Sequence, residues 1–210
     1  YTTRQHSTYS VNTRTATTLA HPSLASAADN VGVTEQDDPG PGDIDGGGSS
    51  FIAERLAQKG VTPGAAVKAN GFSFTWPDAA PGTPDNVTGK GQTIQVSGDE
   101  KGNALAFLGT GTSGSAEGTA TVHYTDGTTA EAKLGFPNWC CLPTDRYGAK
   151  TAITTKGKNT PSGPAYDTVE YRLYTKTLRI DPDKDVAAVT LPANSAVHVF
   201  ALDVGDEEVV

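Results

Sequence analysis

From Phe72 onward the chain runs mostly in period two, and this periodicity limits its fold more than any other feature. Phe72, Phe74 and Trp76 alternate with Ser73 and Thr75, so one face of an extended segment is aromatic and the other polar. Similar short runs predict further strands over 93–97, 104–108, 118–124, 129–136, 151–155, 168–180, 186–191 and 197–204. In the run 168–180, Val169, Tyr171 and Leu173 share one face and Glu170, Arg172 and Tyr174 the other. Asp126-Gly127 lies between two alternating runs, the strongest short-range signal for a hairpin. One stretch alone reads as a helix, 49–60: Ile52 and Leu56 stand four apart with Ala53 alongside, Ser49 or Ser50 is available as N-cap, and Gly60 supplies a left-handed C-cap. A parallel βαβ sheet needs crossover helices, and none is written here. The expected fold is therefore all-β: an antiparallel two-sheet β-sandwich of jelly-roll type with one short helix.

Composition narrows the partners. A net charge of −8 and a pI near 4.9 argue against nucleic acid, whose phosphates need a basic face, and against anionic membranes. No apolar run approaches the length of a transmembrane helix. The chain starts at Tyr1 with neither Met nor a signal peptide, and so reads as an excised or mature fragment. Residues 1–28 are rich in Thr and Ser and read as a linker or as an edge-strand extension around 7–11. The sandwich module is expected over 29–205, with 206–210 an acidic tail. The two cysteines, Cys140 and Cys141, are adjacent, which leaves free thiols, a vicinal disulfide or an intermolecular bridge.

The most concentrated loop signal is 37–51, which packs four Asp, two Pro and five Gly into fifteen residues. Proline fixes φ and glycine opens the left-handed region, so this is a shaped loop. It is no phosphate loop, because it lacks the Lys-Ser/Thr pair and its own charge repels phosphate. Asp43 and Asp45, two residues apart, offer hard oxygen ligands for calcium without matching an EF-hand; the alternative is a solvated turn whose Asp side chains bond their own backbone. Calcium is thus the one cofactor the sequence allows for, and otherwise none is expected.

Catalytic constellations are missing from the pattern. Acidic residues such as Asp85, Asp99, Glu100, Asp126, Asp167 and Asp181 lie in turns, and their spacing nominates no pair for glycoside hydrolysis. His6, His21, His123 and His198 are scattered singly, and no Gly-x-Ser-x-Gly elbow occurs. The expectation is a protein that is not itself an enzyme. A binding site is suggested by 136–147, where two prolines bracket Trp139 and the Cys pair. Trp139 on a rigid loop would stack on a sugar face, with Asn138, Asp145, Arg146 and Tyr147 bonding hydroxyls, and a vicinal disulfide would stiffen the platform. The competing assignment puts Trp139 at one end of the core; Trp76, ending an alternating strand, is a core residue.

A family resemblance is carried by several segments in order. They are Asn30-Val-Gly-Val-Thr34, Gly42-Asp-Ile-Asp-Gly-Gly-Gly-Ser-Ser-Phe51, Leu56-Ala-x-x-Gly-Val-Thr-Pro-Gly64, Phe72-Ser-Phe-Thr-Trp-Pro77 and Pro84-Asp-Asn86. Gly91-Gln-Thr-Ile94, Leu105-Ala-Phe-Leu-Gly109, Tyr124-Thr-Asp-Gly127, Val189-Thr-Leu-Pro192 and His198-Val-Phe-Ala201 follow. Together they resemble an accessory β-sandwich module of secreted, multidomain actinobacterial glycoside hydrolases. The resemblance implies a secreted or cell-surface bacterial protein and a non-catalytic module that binds glycan or polysaccharide beside a catalytic domain of the same polypeptide. The alternative it leaves is a structural spacer that packs on that domain and binds no sugar. The Cys pair after Trp139 and residues 1–28 depart from the family pattern.

Overall fold

The computed structural model describes residues 10–13, 16–96, 101–114 and 116–208, with side chains from residue 20 onward. The predicted strand around 7–11 and the end of the 93–97 run fall partly outside these residues, as does His6. In chain order the elements are β1 (Ser10–Thr13), β2 (Ala16–Leu19), β3 (Val33–Thr34), β4 (Phe51–Ile52), α1 (Ala53–Ala57), β5 (Ala66–Ala69), β6 (Phe72–Thr75), β7 (Val87–Thr88) and β8 (Thr93–Gln95). They continue as β9 (Ala104–Gly111), β10 (Glu117–Tyr124), β11 (Thr129–Gly135), β12 (Lys150–Thr160), β13 (Gly163–Arg179), β14 (Val186–Thr190) and β15 (Val197–Gly205).

Two antiparallel sheets form the sandwich, one ordered β11-β10-β14-β8 and the other β12-β13-β9-β15-β7. The pairs β7–β15, β8–β14, β9–β13 and β10–β11 are nested one inside the next, and β15–β9 and β14–β10 knit them together. This is a hairpin of paired strands rolled up, the jelly-roll topology expected from the sequence, with β12 added outside β13. The predicted Asp-Gly hairpin joins β10 to β11: Gly127 has φ +86° and its N–H bonds the Tyr124 carbonyl at 3.0 Å.

Between the sheets lies one core, built from residues such as Leu105, Phe107, Val122, Leu134, Tyr174, Val189 and Val199. A second core covers the opposite face of the five-stranded sheet. There the segment 33–76 contributes Val33, Phe51, Leu56, Phe72, Phe74 and Trp76, which pack on Ala106, Leu108, Tyr171, Leu173 and Phe200. β9 is therefore buried on both faces along its whole length, and its outward residues Ala104 and Ala106 are small enough to let the extra layer approach. On β15 a bulge at Phe200 sends Phe200 and Ala201 to the outer core, while Val197 and Val199 before it and Leu202 and Val204 after it serve the inner one.

The helix is shorter than the sequence suggested. Phe51 and Ile52 pair in parallel with Val33 and Thr34, so α1 begins only at Ala53, capped by no side chain. Neither Ser49 nor Ser50 caps it. Ser50 exchanges backbone bonds with Asn159 and its hydroxyl meets that of Thr34 at 2.6 Å. The far end is as expected: Gly60 has φ +77°, with Gly60 N–H on the Ala57 carbonyl and Val61 N–H on that of Leu56, a Schellman closure. At the chain's end, Glu207 is tied into the fold. Its N–H donates to Asn103 Oδ1 and its carboxylate accepts from Thr177 Oγ1.

Candidate functional site

The 136–147 segment leaves β11 and is stitched back onto the five-stranded sheet. Trp139 N–H donates to the Gly111 carbonyl and Arg172 N–H to the Trp139 carbonyl, both at 2.8 Å. These bonds turn the indole inward. Trp139 is 4% exposed and packs against Phe51 (5.2 Å, edge-on) and Tyr171 (4.6 Å) in the outer core. The ring thus has no open face on which a sugar could stack, which corrects the platform expected at this position. Asn138 is likewise committed to the loop: its Oδ1 accepts from Cys140 N–H and its carbonyl from the Tyr174 hydroxyl. Cys140 and Cys141 form a vicinal disulfide, one of the three states the sequence left open. Asp145 and Arg146 are exposed and Tyr147 is half-buried.

In the 37–51 loop, Asp43 Oδ1 accepts from Gly48 N–H at 2.9 Å, and Asp45 Oδ1 accepts from the N–H groups of Gly47 and Ser49 at 2.9 and 3.1 Å. Partial burial works against the Asp45 charge, but these donors and nearby Lys158 hold its carboxyl below the usual range. The aspartates brace the loop from within. Among the described residues no three His, Cys, Asp or Glu side chains gather as a metal cage. Lys158, which the sequence did not single out, joins the two predicted loops. Its Nζ lies 3.8 Å from Asp45 Oδ2, 5.8 Å from the Trp139 ring and 5.3 Å from that of Tyr166, itself 60% exposed.

A different region has the concave shape that ligands use. A cleft of about 600 Å³ opens where the Ser23–Ala28 segment, the 73–85 segment and β15 meet. Ser73, Thr75, Asp78, Gln95 and Asp203 provide polar lining, and the stacked Trp76–Phe200 pair, 4.9 Å between centroids, backs the cleft from within the outer core, 3% and 2% exposed. No Lys or Arg among the described residues lines it. A smaller pocket of about 380 Å³ lies on the other side of Trp76, Ala79 and Asp85, which line both.

Asp85 sits at that shared wall, 6% exposed. Its Oδ1 accepts from Gly32 N–H at 2.9 Å and Asn86 Nδ2 at 2.8 Å, and its Oδ2 from Val33 N–H at 3.0 Å. Burial nevertheless pushes its pKa up to about 6. The network continues through Asn86 Oδ1 to His198 Nδ1 at 2.7 Å, and from His198 Nε2 to Thr112 Oγ1 at 3.2 Å. Burial pulls the His198 pKa down to about 4, so the ring is neutral, with Nδ1 donating to Asn86 and Nε2 accepting from Thr112. A Thr–His–Asn–Asp line has the look of an acid–base relay. Yet Thr112 and His198 are 4% and 2% exposed, and an amide separates the imidazole from the carboxylate. The network ties β3, β7 and β15 together. His123, also single in the sequence, is buried and bonded to Thr190 Oγ1 at 2.8 Å.

A family model described as an AziU2-like beta-sandwich domain matches residues 21–208. No curated protein matches the chain.

Proposed function

Starting from a chain that belongs to the AziU2-like β-sandwich domain family, we propose that it is a non-catalytic binding module that takes a glycan in the larger cleft. The observation that carries this is the cleft lining: hydroxyls, carboxylates and an amide over an apolar wall, with no cationic side chain among the described residues. Such a surface suits a neutral polyhydroxylated ligand, whose hydroxyls satisfy both donors and acceptors, and disfavours phosphates and carboxylates. The carbohydrate assignment therefore moves away from Trp139 to the cleft, while exposed Asp145 and Arg146 stay outside it. In the cell the module acts beside a glycoside hydrolase of the same polypeptide, in a secreted or cell-surface bacterial protein, and raises local substrate concentration without chemistry of its own. No cofactor takes part.

A glycan array followed by calorimetry with mannose, galactose, fucose and the corresponding polysaccharides tests this. Binding is expected to weaken in Asp78→Ala and Gln95→Ala and to survive Arg146→Ala; silence across the array would sink the assignment. A spacer role is the second possibility, favoured by the burial of Trp139. Its docking face would include Leu142 and Tyr166, the exposed large apolar side chains among the described residues.

A further inference from the structure

The smaller pocket differs from the cleft in chemistry. Its floor is apolar, made by Val33, Leu56 and Val61, all buried, while Glu35, Asp37 and Glu54 stand around it and no Lys or Arg among the described residues contributes. α1 sorts its charges to produce this. Glu54 faces the pocket, whereas Arg55 and Lys59 line a separate hollow on the β12–β13 side, where Arg55 Nη1 pairs with Asp167 Oδ1 at 2.8 Å. Glu54 is also fixed in place: both carboxylate oxygens accept from Gln36 N–H at 3.1 Å, with lone pairs left for a further donor. An apolar floor under a fixed anionic rim is complementary to a molecule that is apolar at one end and positive at the other.

We propose that this pocket binds a small amphiphilic organic cation, an alkylammonium or aryl-alkylammonium, with its apolar body on Val33, Leu56 and Val61 and its charged head among Glu35, Asp37 and Glu54. The volume, about 380 Å³, is at the small end of ligand sites and accommodates a short chain or one ring, not an oligosaccharide. An anion of the same shape meets uncompensated repulsion at the rim. A neutral analogue keeps the floor contacts and loses the head-group attraction.

Calorimetry on the intact protein with hexyltrimethylammonium, hexanoate and hexan-1-ol tests the assignment. Saturable one-to-one binding is expected for the cation, at least about tenfold tighter than for hexanoate and weakening as salt is raised. The Glu35→Gln/Glu54→Gln pair, which keeps an acceptor for Gln36, should cost the cation about three- to tenfold through loss of two screened, rim-exposed charges. Ala57→Phe, at an exposed helix position lining the pocket, should occlude the site without unfolding the protein, as circular dichroism would show. Absence of saturable binding, or equal affinity for cation and anion, would overturn the proposal. Asp78→Ala and Gln95→Ala, which lie in the larger cleft, should leave cation binding unchanged, so failure of this site and failure of glycan binding are read separately.

Discussion

Replacing Asp85 by Asn tests whether the buried network, rather than packing alone, fixes the outer layer. The wild-type carboxylate accepts from three donors: Gly32 N–H, Asn86 Nδ2 and Val33 N–H. An asparagine of nearly the same shape keeps its carbonyl oxygen toward Gly32 and Asn86 but turns an NH₂ toward Val33 N–H. One buried donor is then unsatisfied and faces another, a loss of about 2 kcal/mol at pH 8. In a chain of this length that lowers Tm by roughly 4–8 °C. The pH dependence gives a sharper check. A carboxyl whose folded pKa is raised binds its proton more tightly in the native state, so its contribution to stability grows as pH falls through about 6 and is complete below the unfolded value near 4. Between pH 8 and pH 5 about one pH unit of this window is traversed, so the wild type gains about 1.4 kcal/mol that the Asn variant lacks. Urea denaturation of both proteins at pH 8 and pH 5 should thus show the destabilisation rising from about 2 to about 3 kcal/mol. A difference that stays constant or shrinks on acidification would refute the assignment of a raised pKa to Asp85, and a loss below about 0.5 kcal/mol would refute the structural role of the network.

Gly32→Ala places a Cβ 2.8 Å from both Asn86 Nδ2 and Phe200 Cζ, so it should destabilise by about 1–3 kcal/mol in the same assay. Lys158→Ala removes the cation from over Trp139 and Tyr166 and from beside Asp45; with water close by, a loss of about 0.5–1 kcal/mol is expected, shrinking in high salt. Adding calcium or EDTA should leave Tm unchanged, because Asp43 and Asp45 are engaged by their own loop; a calcium-dependent rise of several degrees would restore them as ligands.

The sandwich was legible because its strands alternate, and the Asp126-Gly127 turn because a tight hairpin admits few residue pairs. The outer layer was not. β9 is apolar at nearly every position, and a continuous apolar run does not say what covers its second face; only the packing of 33–76 onto Ala106, Leu108 and Phe200 does. The helix is shorter than its capping signature suggests because Ser50 is drawn into hydrogen bonds with Thr34 and Asn159, while Ser49 stays in the loop, its N–H on Asp45 Oδ1 and its carbonyl accepting from Ile44 N–H. For Trp139 the sequence leaves a sugar platform and a core position open, and the choice between them is not legible for a related reason. Flanking prolines mark a loop, but they do not show that two backbone bonds turn its side chain toward Phe51 and Tyr171. Lys158 gave no signal at all, since a lysine in an alternating strand is ordinarily solvated. The larger cleft is equally invisible in the sequence, because its walls come from segments more than a hundred residues apart.

The segments that carry the family resemblance explain why membership constrains fold more than ligand. Asn30–Thr34, Pro84–Asn86 and His198–Ala201 are distant in the chain, yet they meet in one buried network: Asp85 on the Gly32 and Val33 amides, Asn86 on Asn30 and His198, Phe200 against Trp76. Each member is fixed by the others, since a buried polar group without its partner costs about 1–3 kcal/mol. A sequence that keeps this network therefore keeps the attachment of the outer layer to the jelly roll, whatever the protein binds. The residues proposed to choose ligands, Asp78 and Gln95 at the cleft and Glu35, Asp37 and Glu54 at the pocket, lie outside the network. Both cavities meet this network at one shared wall, formed by Trp76 and Asp85.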